Sequence, residues 1–205
     1  MKTWITADWH LGENRFELMG RPFQTVTDHL EALKTEHNKL VAPDDELIFV
    51  GDVCYQKAEP AWLLSWLSEV EKFNGKKILV RGNHDKVFTN EQLKPYFDKI
   101  YDEGEGFYRN FGGIECYVTH YPTQGRDDAF NLVGHIHAAW KYQLNSLNIG
   151  VDVHHFRPVD TATIPFHFNA VSKFYDEDVW AAYHHINKMY HGVRGKKGTY
   201  FTPAL

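Results

Sequence analysis

Residues 80–86, VRGNHDK, follow the apolar run KKILV and place a histidine and a carboxylate side by side after a glycine. Gly82 and Asn83 suit a turn, because both residue types tolerate unusual backbone angles. A turn alone does not require His84 and Asp85, whose side chains can carry chemistry. A short apolar run with Ile and Val is typical of a buried strand. The stretch therefore predicts a strand whose carboxyl end presents reactive side chains.

Four other short apolar runs end in the same way, with polar residues directly after a predicted strand. The run at 2–7 leads into Asp8 and His10, and the run at 46–50 leads into Gly51 and Asp52. The run at 114–119 leads into His120, and the run at 129–133 leads into Gly134, His135 and His137. In parallel α/β sheets, ligands bind beyond the carboxyl ends of the strands. We therefore expect these polar side chains to lie close together.

Amphipathic helical patterns separate the first three predicted strands. Residues 25–41 place apolar side chains on one helix face, with Thr25 or Thr27 as the N-cap. Residues 59–73 repeat the pattern, with Pro60 in the first turn. The order strand, helix, strand, helix, strand predicts right-handed crossovers and an at least partly parallel sheet.

The second half of the chain is richer in turns and predicts a second sheet. Gly104, Gly106 and the Gly112–Gly113 pair are interpreted as hairpin turns, and residues 146–153 as a further strand. An amphipathic helix is predicted over residues 176–190. Since no repeat or linker interrupts the sequence, residues 1–205 are expected to form a single domain.

Composition limits the classes of partner. The 22 basic and 27 acidic residues give a net charge of −5, which argues against an extended nucleic-acid surface. Cys54 and Cys116 form no disulfide framework and are expected to be reduced thiols. No signal-peptide core or membrane-length apolar run is present, so we expect a cytoplasmic protein without a membrane contact.

The strand-end groups form a set of candidate metal ligands without a thiolate. The set is Asp8, His10, Asp52, Asn83, His120, His135 and His137. Mixed nitrogen and oxygen donors suit Mn, Fe, Zn, Co or Ni and argue against a structural zinc site. Seven donors exceed the needs of one tetrahedral ion, and a carboxylate can bridge, so two divalent ions are predicted. Two such ions lower the pKa of a bridging water and hold phosphate oxygens for in-line attack on phosphorus.

The motifs D-x-H, G-D, G-N-H-D, a lone H and G-H-x-H occur in this order over residues 8–137. This set resembles the calcineurin-like metallophosphoesterase superfamily. The stretches GRPF at 20–23 and NIGVDVHHFRPV at 148–159 are further similar to a subgroup of small bacterial and phage phosphoesterases. The resemblance implies a four-layer α-β-β-α sandwich with two mixed β-sheets.

The resemblance also implies a role for each motif residue. One ion would be held by Asp8, His10, Asp52 and His137, and the other by Asp52, Asn83, His120 and His135, with Asp52 bridging. His84 would contact the phosphate and stabilise charge or protonate the leaving oxygen, and Asp85 would orient the His84 imidazole. Glu13 stands where subgroup members often have a histidine, and a glutamate near the metals would repel a phosphate.

Several residues outside the motifs are weaker candidates. Arg21 and Arg126 lie in predicted loops that could reach a phosphate, and His154 and His155 follow a strand expected to end near the site. Trp9 and Trp140 fit either a pocket wall or the core. The remaining histidines are interpreted as surface or helix-face residues, namely His29, His37, His167, His184, His185 and His191.

The sequence as a whole predicts a dinuclear metal-dependent phosphoesterase, with Mn favoured among the metals. Its expected partner is a small phosphorylated substrate such as a nucleotide, and both phosphomonoesters and phosphodiesters stay open. One alternative is a nuclease on DNA or RNA, against which the net charge argues. The other is a non-catalytic binding scaffold, against which the complete ligand set argues. The oligomeric state is left open.

Overall fold

The computed structural model describes residues 1–57, 59–143 and 145–174. Its strands are β1 (Thr3–Thr6), β2 (Glu46–Phe49), β3 (Lys76–Val80), β4 (Lys99–Tyr101), β5 (Gly106–Phe111), β6 (Ile114–Thr119), β7 (Phe130–Val133), β8 (Tyr142–Gln143), β9 (Ser146–Asn148) and β10 (Val159–Asp160). Its α-helices are α1 (Phe16–Met19), α2 (Val26–Leu40), α3 (Pro60–Ser68), α4 (Asn90–Leu93) and α5 (Ile164–Asn169). The helix predicted over 176–190 lies outside the described residues.

Short helical turns of other types complete the described elements. The 3-10 turns cover Glu69–Lys72, Asp85–Val87, Pro122–Gln124, Val151–Val153 and Thr161–Thr163, and a π-helical turn covers Ala170–Phe174. Within the described part of the chain, no helix has the length and apolar content that a membrane crossing requires.

The first sheet has the strand order β10–β1–β2–β3–β4. β1 to β4 run parallel, and β10 pairs antiparallel with β1. The parallel arrangement of the first three strands confirms the prediction made from their helical connections. The carboxyl ends of these strands therefore lie along one edge of the sheet.

The second sheet has the strand order β5–β6–β7–β9–β8. β6, β7 and β9 run parallel, while β5 and β8 are antiparallel to their neighbours. Both sheets are thus mixed, as predicted. The layered arrangement agrees with the fold class that the sequence implied.

Two details of the second half differ from prediction. The turn at Gly104 is not a hairpin, because β4 and β5 belong to different sheets, and Gly106 already lies within β5. Gly112 and Gly113 do form the hairpin turn between β5 and β6. The strand predicted over 146–153 stops at Asn148, because the chain tightens into the 3-10 turn over residues 151–153.

Two apolar cores hold the layers together. The core between the sheets packs side chains such as Ile5, Ile48 and Val80 against Val118 and Leu132, all fully buried. The outer core packs α2 and α3 on the opposite face of the first sheet. At about 25 cal/mol per Å² of buried apolar surface, such cores are the main favourable term in folding.

Helix α2 begins and packs as its sequence indicates, with one correction. The Thr25 hydroxyl caps the helix by accepting a hydrogen bond from the Asp28 amide at 3.1 Å. His29 and His37 lie on the helix face, but they are 0 % and 1 % exposed rather than at the surface. The His37 Nε2 atom lies 2.9 Å from the Asn74 carbonyl oxygen, and burial lowers its pKa to about 4.

Candidate metal centre

The carboxyl ends of both sheets meet at one place, and the predicted ligands lie there. The Asp8 carboxylate follows β1 and accepts hydrogen bonds from the amide of His135, which follows β7, at 3.0 Å. The His10 and His137 ring centroids are 4.8 Å apart. Residues that are 127 positions apart in the sequence are thus brought together by the sheet topology.

Asp52 lies in the middle of this cluster. Its Oδ2 atom is 3.4 Å from His10 Nε2 and 3.5 Å from His120 Nε2, and its Oδ1 atom accepts a hydrogen bond from the His84 amide at 2.8 Å. One carboxylate oxygen therefore faces a histidine from each side. This is the position that a bridging ligand between two ions would occupy.

Two groups of potential ligand atoms share Asp52. Donor atoms of His10, Asp52 and His84 lie within 4.8 Å of one another, and so do those of Asp52, His120 and His135. The second group matches three of the four residues predicted for one ion. The first group contains His84, which was predicted to contact the substrate, so the distribution of the seven donors between two ions stays a prediction.

Some potential ligand atoms of this cluster fit a bound cation because they make no hydrogen bond to the described part of the protein. Within the described residues, five buried side-chain atoms of the cluster have no hydrogen-bond partner: His10 Nδ1, His10 Nε2, Asn83 Oδ1, His84 Nδ1 and His120 Nε2. Buried polar groups are normally paired, since leaving one unpaired costs about 1–3 kcal/mol. A metal ion would satisfy those atoms that face it.

Glycines let the loops approach the carboxylates and imidazoles closely. A Cβ atom at Gly82 would lie 2.3 Å from Asp52 Oδ1, and one at Gly51 would lie 2.3 Å from His120 Nδ1. Both distances are shorter than van der Waals contact, and Gly51 also has a φ of +85°. The G-D and G-N-H-D motifs therefore need glycine for steric reasons.

The backbone at the site is held in a sparsely populated conformation. Five of the predicted ligands have left-handed φ values between 48° and 76°: Asp8, His10, Asp52, His135 and His137. Such a conformation costs about 1–3 kcal/mol for a residue other than glycine and clusters at functional sites. The loops are thus bent to aim these side chains at a common point.

Burial shapes the ionisation of the cluster. Burial raises the pKa of the Asp8 carboxyl to about 7. Burial also raises the pKa of Asp52, but the surrounding histidines His120, His10 and His84 together lower it well below its usual range. Burial lowers the pKa of His10 well below its usual range, which favours the neutral imidazole that binds metals.

The role predicted for Asp85 is wrong. Its carboxylate makes no hydrogen bond to the His84 ring in the described structure; it accepts backbone hydrogen bonds from Asp52 at 2.8 Å, Val53 at 2.9 Å and Gly82 at 2.8 Å. Asp85 is fully buried and ties the loop after β2 to the loop after β3. It therefore positions two loops that carry predicted ligands rather than an imidazole.

The His84 side chain lies beside the donor cluster and borders a cleft. Its ring centroid is 4.5 Å from that of His10 and 6.3 Å from that of Tyr55. Burial lowers its pKa, although the nearby Asp52 carboxylate acts in the opposite direction. Contact with a phosphate remains a prediction for this residue.

Arg21 was predicted to reach a phosphate from a loop, but it lies beneath the site. Its side chain is 0 % exposed and donates to the Asp8 carbonyl at 2.6 Å, to the Trp9 carbonyl at 2.9 Å and to Asp152 at 2.7 and 2.9 Å. All of its nitrogens are thus engaged by protein, since Nη1 also lies 3.0 Å from the His29 ring. Arg21 holds the loop after β1 in place.

Asp152 is the site residue that the sequence reasoning missed. Besides pairing with Arg21, it lies 2.9 Å from His137 Nδ1 through Oδ2. Burial lowers the pKa of His137, but the hydrogen bond to Asp152 and the charges of Asp8 and Asp152 together raise it above its usual value. A carboxylate that fixes the ring of a metal-ligating histidine is a common arrangement. Its position inside the NIGVDVHHFRPV stretch was the available signal.

The other weak candidates are engaged by other parts of the protein. The Arg126 guanidinium stacks 5.1 Å from the Tyr117 ring, and His154 Nε2 lies 2.8 Å from the Asn148 carbonyl. Both side chains have a partner on the protein, and neither lines the cleft at His84. Trp9 is 2 % exposed and packs in the outer core. Of the two roles considered for it, a pocket wall or the core, the structure shows the core.

The comparisons with known proteins agree with this geometry. A family model described as calcineurin-like phosphoesterase matches residues 1–195. An uncharacterized protein of Methanocaldococcus jannaschii is 26 % identical over 163 residues, which cover 77 % of this chain and 86 % of that protein. The gene 66 protein of Mycobacterium phage L5 is 30 % identical over 84 residues, which cover 40 % of this chain and 39 % of that protein.

One solved structure is similar over most of its length. A protein of unknown function from Aquifex aeolicus superposes with a TM-score of 0.61 at 24 % sequence identity, covering 81 % of this chain and 98 % of that chain. At this identity the likeness shows a shared fold.

Proposed function

The chain belongs to the calcineurin-like phosphoesterase family, and from that premise we propose that it hydrolyses phosphate esters with two divalent metal ions. The ions would be held by the seven strand-end donors, with Asp52 between them. Manganese is the first metal to test, followed by Fe, Zn, Ni and Co, since mixed nitrogen and oxygen donors suit all five.

One observation carries this proposal. Around Asp52, buried imidazole and amide atoms converge that make no hydrogen bond to the described residues. The buried His37 of helix α2 pairs its Nε2 atom with a carbonyl and leaves only Nδ1 without a hydrogen bond, whereas both ring nitrogens of His10 lack a hydrogen-bond partner among the described residues. The unpartnered atoms and the bent backbone together support a site built to hold cations.

The protein groups would have distinct tasks in the reaction. When bound, the metal ions supply the Lewis acidity that activates water and draws charge from the phosphate. His84, at the edge of the cluster, would donate a hydrogen bond to a phosphate oxygen or a proton to the leaving oxygen. Asp85 keeps the two ligand-bearing loops together, and Asp152 keeps the His137 ring oriented.

The substrate we propose is a small phosphorylated compound, such as a nucleotide. A cleft of about 370 Å³ opens beside His10, His84 and His137. That volume is at the lower end of the range for small-molecule sites. The negative net charge of the chain supports a small ligand over an extended nucleic acid.

The test is hydrolysis of bis-p-nitrophenyl phosphate and p-nitrophenyl phosphate by metal-stripped protein titrated with Mn. We expect Mn-dependent turnover of at least one ester, reduced about 100-fold or more in His84→Ala because proton transfer is worth about that factor. The matched control is His155→Asn, an exposed histidine with a φ of 54°, a backbone angle that asparagine tolerates. Equal turnover in wild type and His84→Ala, or none with Mn bound, would contradict the proposal.

A further inference from the structure

The cleft beside the metal centre is lined by a charged pair and by apolar side chains as well as by histidines. Its lining includes His10, His84 and His137, the pair Glu13 and Arg15, and the apolar residues Leu18, Met19, Ile136, Ala138 and Ala139. This pair stands where the sequence suggested that Glu13 would repel a phosphate.

Arg15 neutralises that glutamate at close range. Glu13 Oε1 accepts from the Arg15 amide at 2.8 Å and from Arg15 Nε at 2.9 Å, and Glu13 Oε2 accepts from Arg15 Nη2 at 2.7 Å. The Glu13 side chain is 1 % exposed, whereas the Arg15 side chain is 44 % exposed. Both oxygens of the buried carboxylate thus hold one guanidinium at the cleft.

The guanidinium is fixed in orientation and has one edge to spare. It stacks 4.7 Å from the Tyr55 ring, and that ring lies 6.3 Å from the His84 ring. Glu13 occupies the edge formed by Nε and Nη2, while Nη1 has no acceptor in the part of the chain that the structure describes. An arginine held in this way presents the Nη1 and Nη2 edge to a ligand without losing side-chain freedom on binding.

We propose that Arg15 is a specificity-determining residue that binds a second oxyanion on the substrate, close to the phosphate ester that is hydrolysed. The inference rests on the proposed phosphoesterase function and adds the substrate class to it. A guanidinium edge matches two oxygens of a carboxylate or of a phosphoryl group. The Tyr55 ring contacts both the Arg15 guanidinium and the neighbourhood of His84. We therefore expect the second oxyanion to lie close to the ester group and not at the far end of a long substrate.

Three matched phosphonates test this inference by binding rather than turnover. Methylphosphonate has no second oxyanion, phosphonoacetate adds a carboxylate, and methylenediphosphonate adds a second phosphonate group. Calorimetric titration of Mn-loaded protein gives the dissociation constant of each. Wild type should bind at least one two-anion probe about tenfold or more tightly than methylphosphonate, since hydrogen bonds to charged groups are worth about that factor. Tighter binding of phosphonoacetate would identify a carboxylate as the second oxyanion, and tighter binding of methylenediphosphonate would identify a phosphoryl group.

The variants separate Arg15 from chelation of the metals by the probes. Arg15→Gln should reduce the preference about tenfold, and Arg15→Lys should retain part of it, because lysine keeps the charge but lacks the fork. The double variant Glu13→Gln with Arg15→Gln repeats the test without leaving an unpaired buried carboxylate. Arg157→Gln is the matched control, since Arg157 pairs with Glu36 outside the cleft.

The outcomes distinguish this inference from the proposed function. No preference in wild type, or a preference within about twofold of wild type in both Arg15→Gln and the double variant, overturns the role of Arg15. If the role of Arg15 is overturned but wild type hydrolyses bis-p-nitrophenyl phosphate, the proposed phosphoesterase function is still supported. A preference that depends on Arg15, in a protein that hydrolyses neither nitrophenyl ester, supports the binding role and counts against the proposed function.

Discussion

The substitution Asp85→Asn tests whether this residue organises the loops, as its hydrogen bonds indicate. The carboxylate accepts three backbone hydrogen bonds, two at Oδ2 and one at Oδ1. An asparagine keeps one oxygen, so it retains at most two of them and turns an amide N–H₂ toward a backbone N–H. Hydrogen bonds to a charged group contribute about 1.5–3 kcal/mol each, so we expect a loss of about 2–4 kcal/mol in the free energy of unfolding.

Metal binding should weaken at the same time. Asp85 holds the amides of Asp52 and Gly82, which sit in the two loops that carry predicted ligands from β2 and β3. Loss of a group that orients metal ligands typically costs about 10- to 100-fold in affinity. Urea unfolding of the metal-free protein and calorimetric Mn titration of the folded protein measure the two effects separately.

Asp45→Asn is the matched control at the other end of the first sheet. Asp45 also accepts three hydrogen bonds, from the Lys2 amide at 2.7 Å, Trp4 Nε1 at 3.0 Å and the Ala42 amide at 3.1 Å. This variant should lower the urea midpoint but keep Mn affinity within about twofold of wild type, since distant sites act independently. If Asp85→Asn keeps wild-type stability and Mn affinity and loses only turnover, the loop-organising role is refuted and an orienting role toward His84 returns.

Four further results are expected. Asp152→Asn should weaken Mn binding about 10- to 100-fold by calorimetry, because the His137 ring loses its carboxylate partner; unchanged affinity would contradict this. Gly82→Ala should abolish detectable Mn binding while circular dichroism still reports a folded protein, since its Cβ would meet Asp52 Oδ1. Added Mn should raise the Tm of wild type but not of Asp52→Asn in differential scanning calorimetry. The pKa of His37 falls from 6.5 to about 4 in the folded protein, so its neutral form stabilises the fold fully above pH 6.5. The free energy of unfolding should therefore decrease by up to about 3 kcal/mol as the pH drops toward 4, and His37→Gln should flatten this pH dependence in urea titrations.

The convergence of the predicted ligands was predictable because it follows from strand direction alone. Asp8, Asp52 and Asn83 each follow a parallel strand of the first sheet, and such strands end at a common edge. A sequence pattern records where a strand ends, and that is sufficient to place a side chain at an edge. His120 and His135 follow strands of the second sheet. Their place in the same site was predicted from the order of the motifs and not from the hydrophobic periodicity.

The errors have a different origin, since they concern partners that only tertiary structure supplies. Asp85 was paired with its neighbour His84, whereas its acceptors face backbone amides more than thirty positions earlier, at Asp52 and Val53. Arg21 was expected to reach a phosphate because its buried partner, Asp152, lies 131 positions away in the sequence. Local reasoning favours the nearest partner in sequence and underestimates buried networks that join distant loops.

The shared position of Asp52 has a consequence for how the protein is made. The residue reaches His10 from its own sheet and His120 from the other sheet, so the pocket exists only after the two halves have docked. During synthesis, the motifs that contain His10 and Asp52 are made before the last histidine of the predicted ligand set, His137. Ions met early would find an incomplete and loosely held set of donors. Loading is therefore expected to follow synthesis, and the metal available when the halves dock becomes the one that is retained.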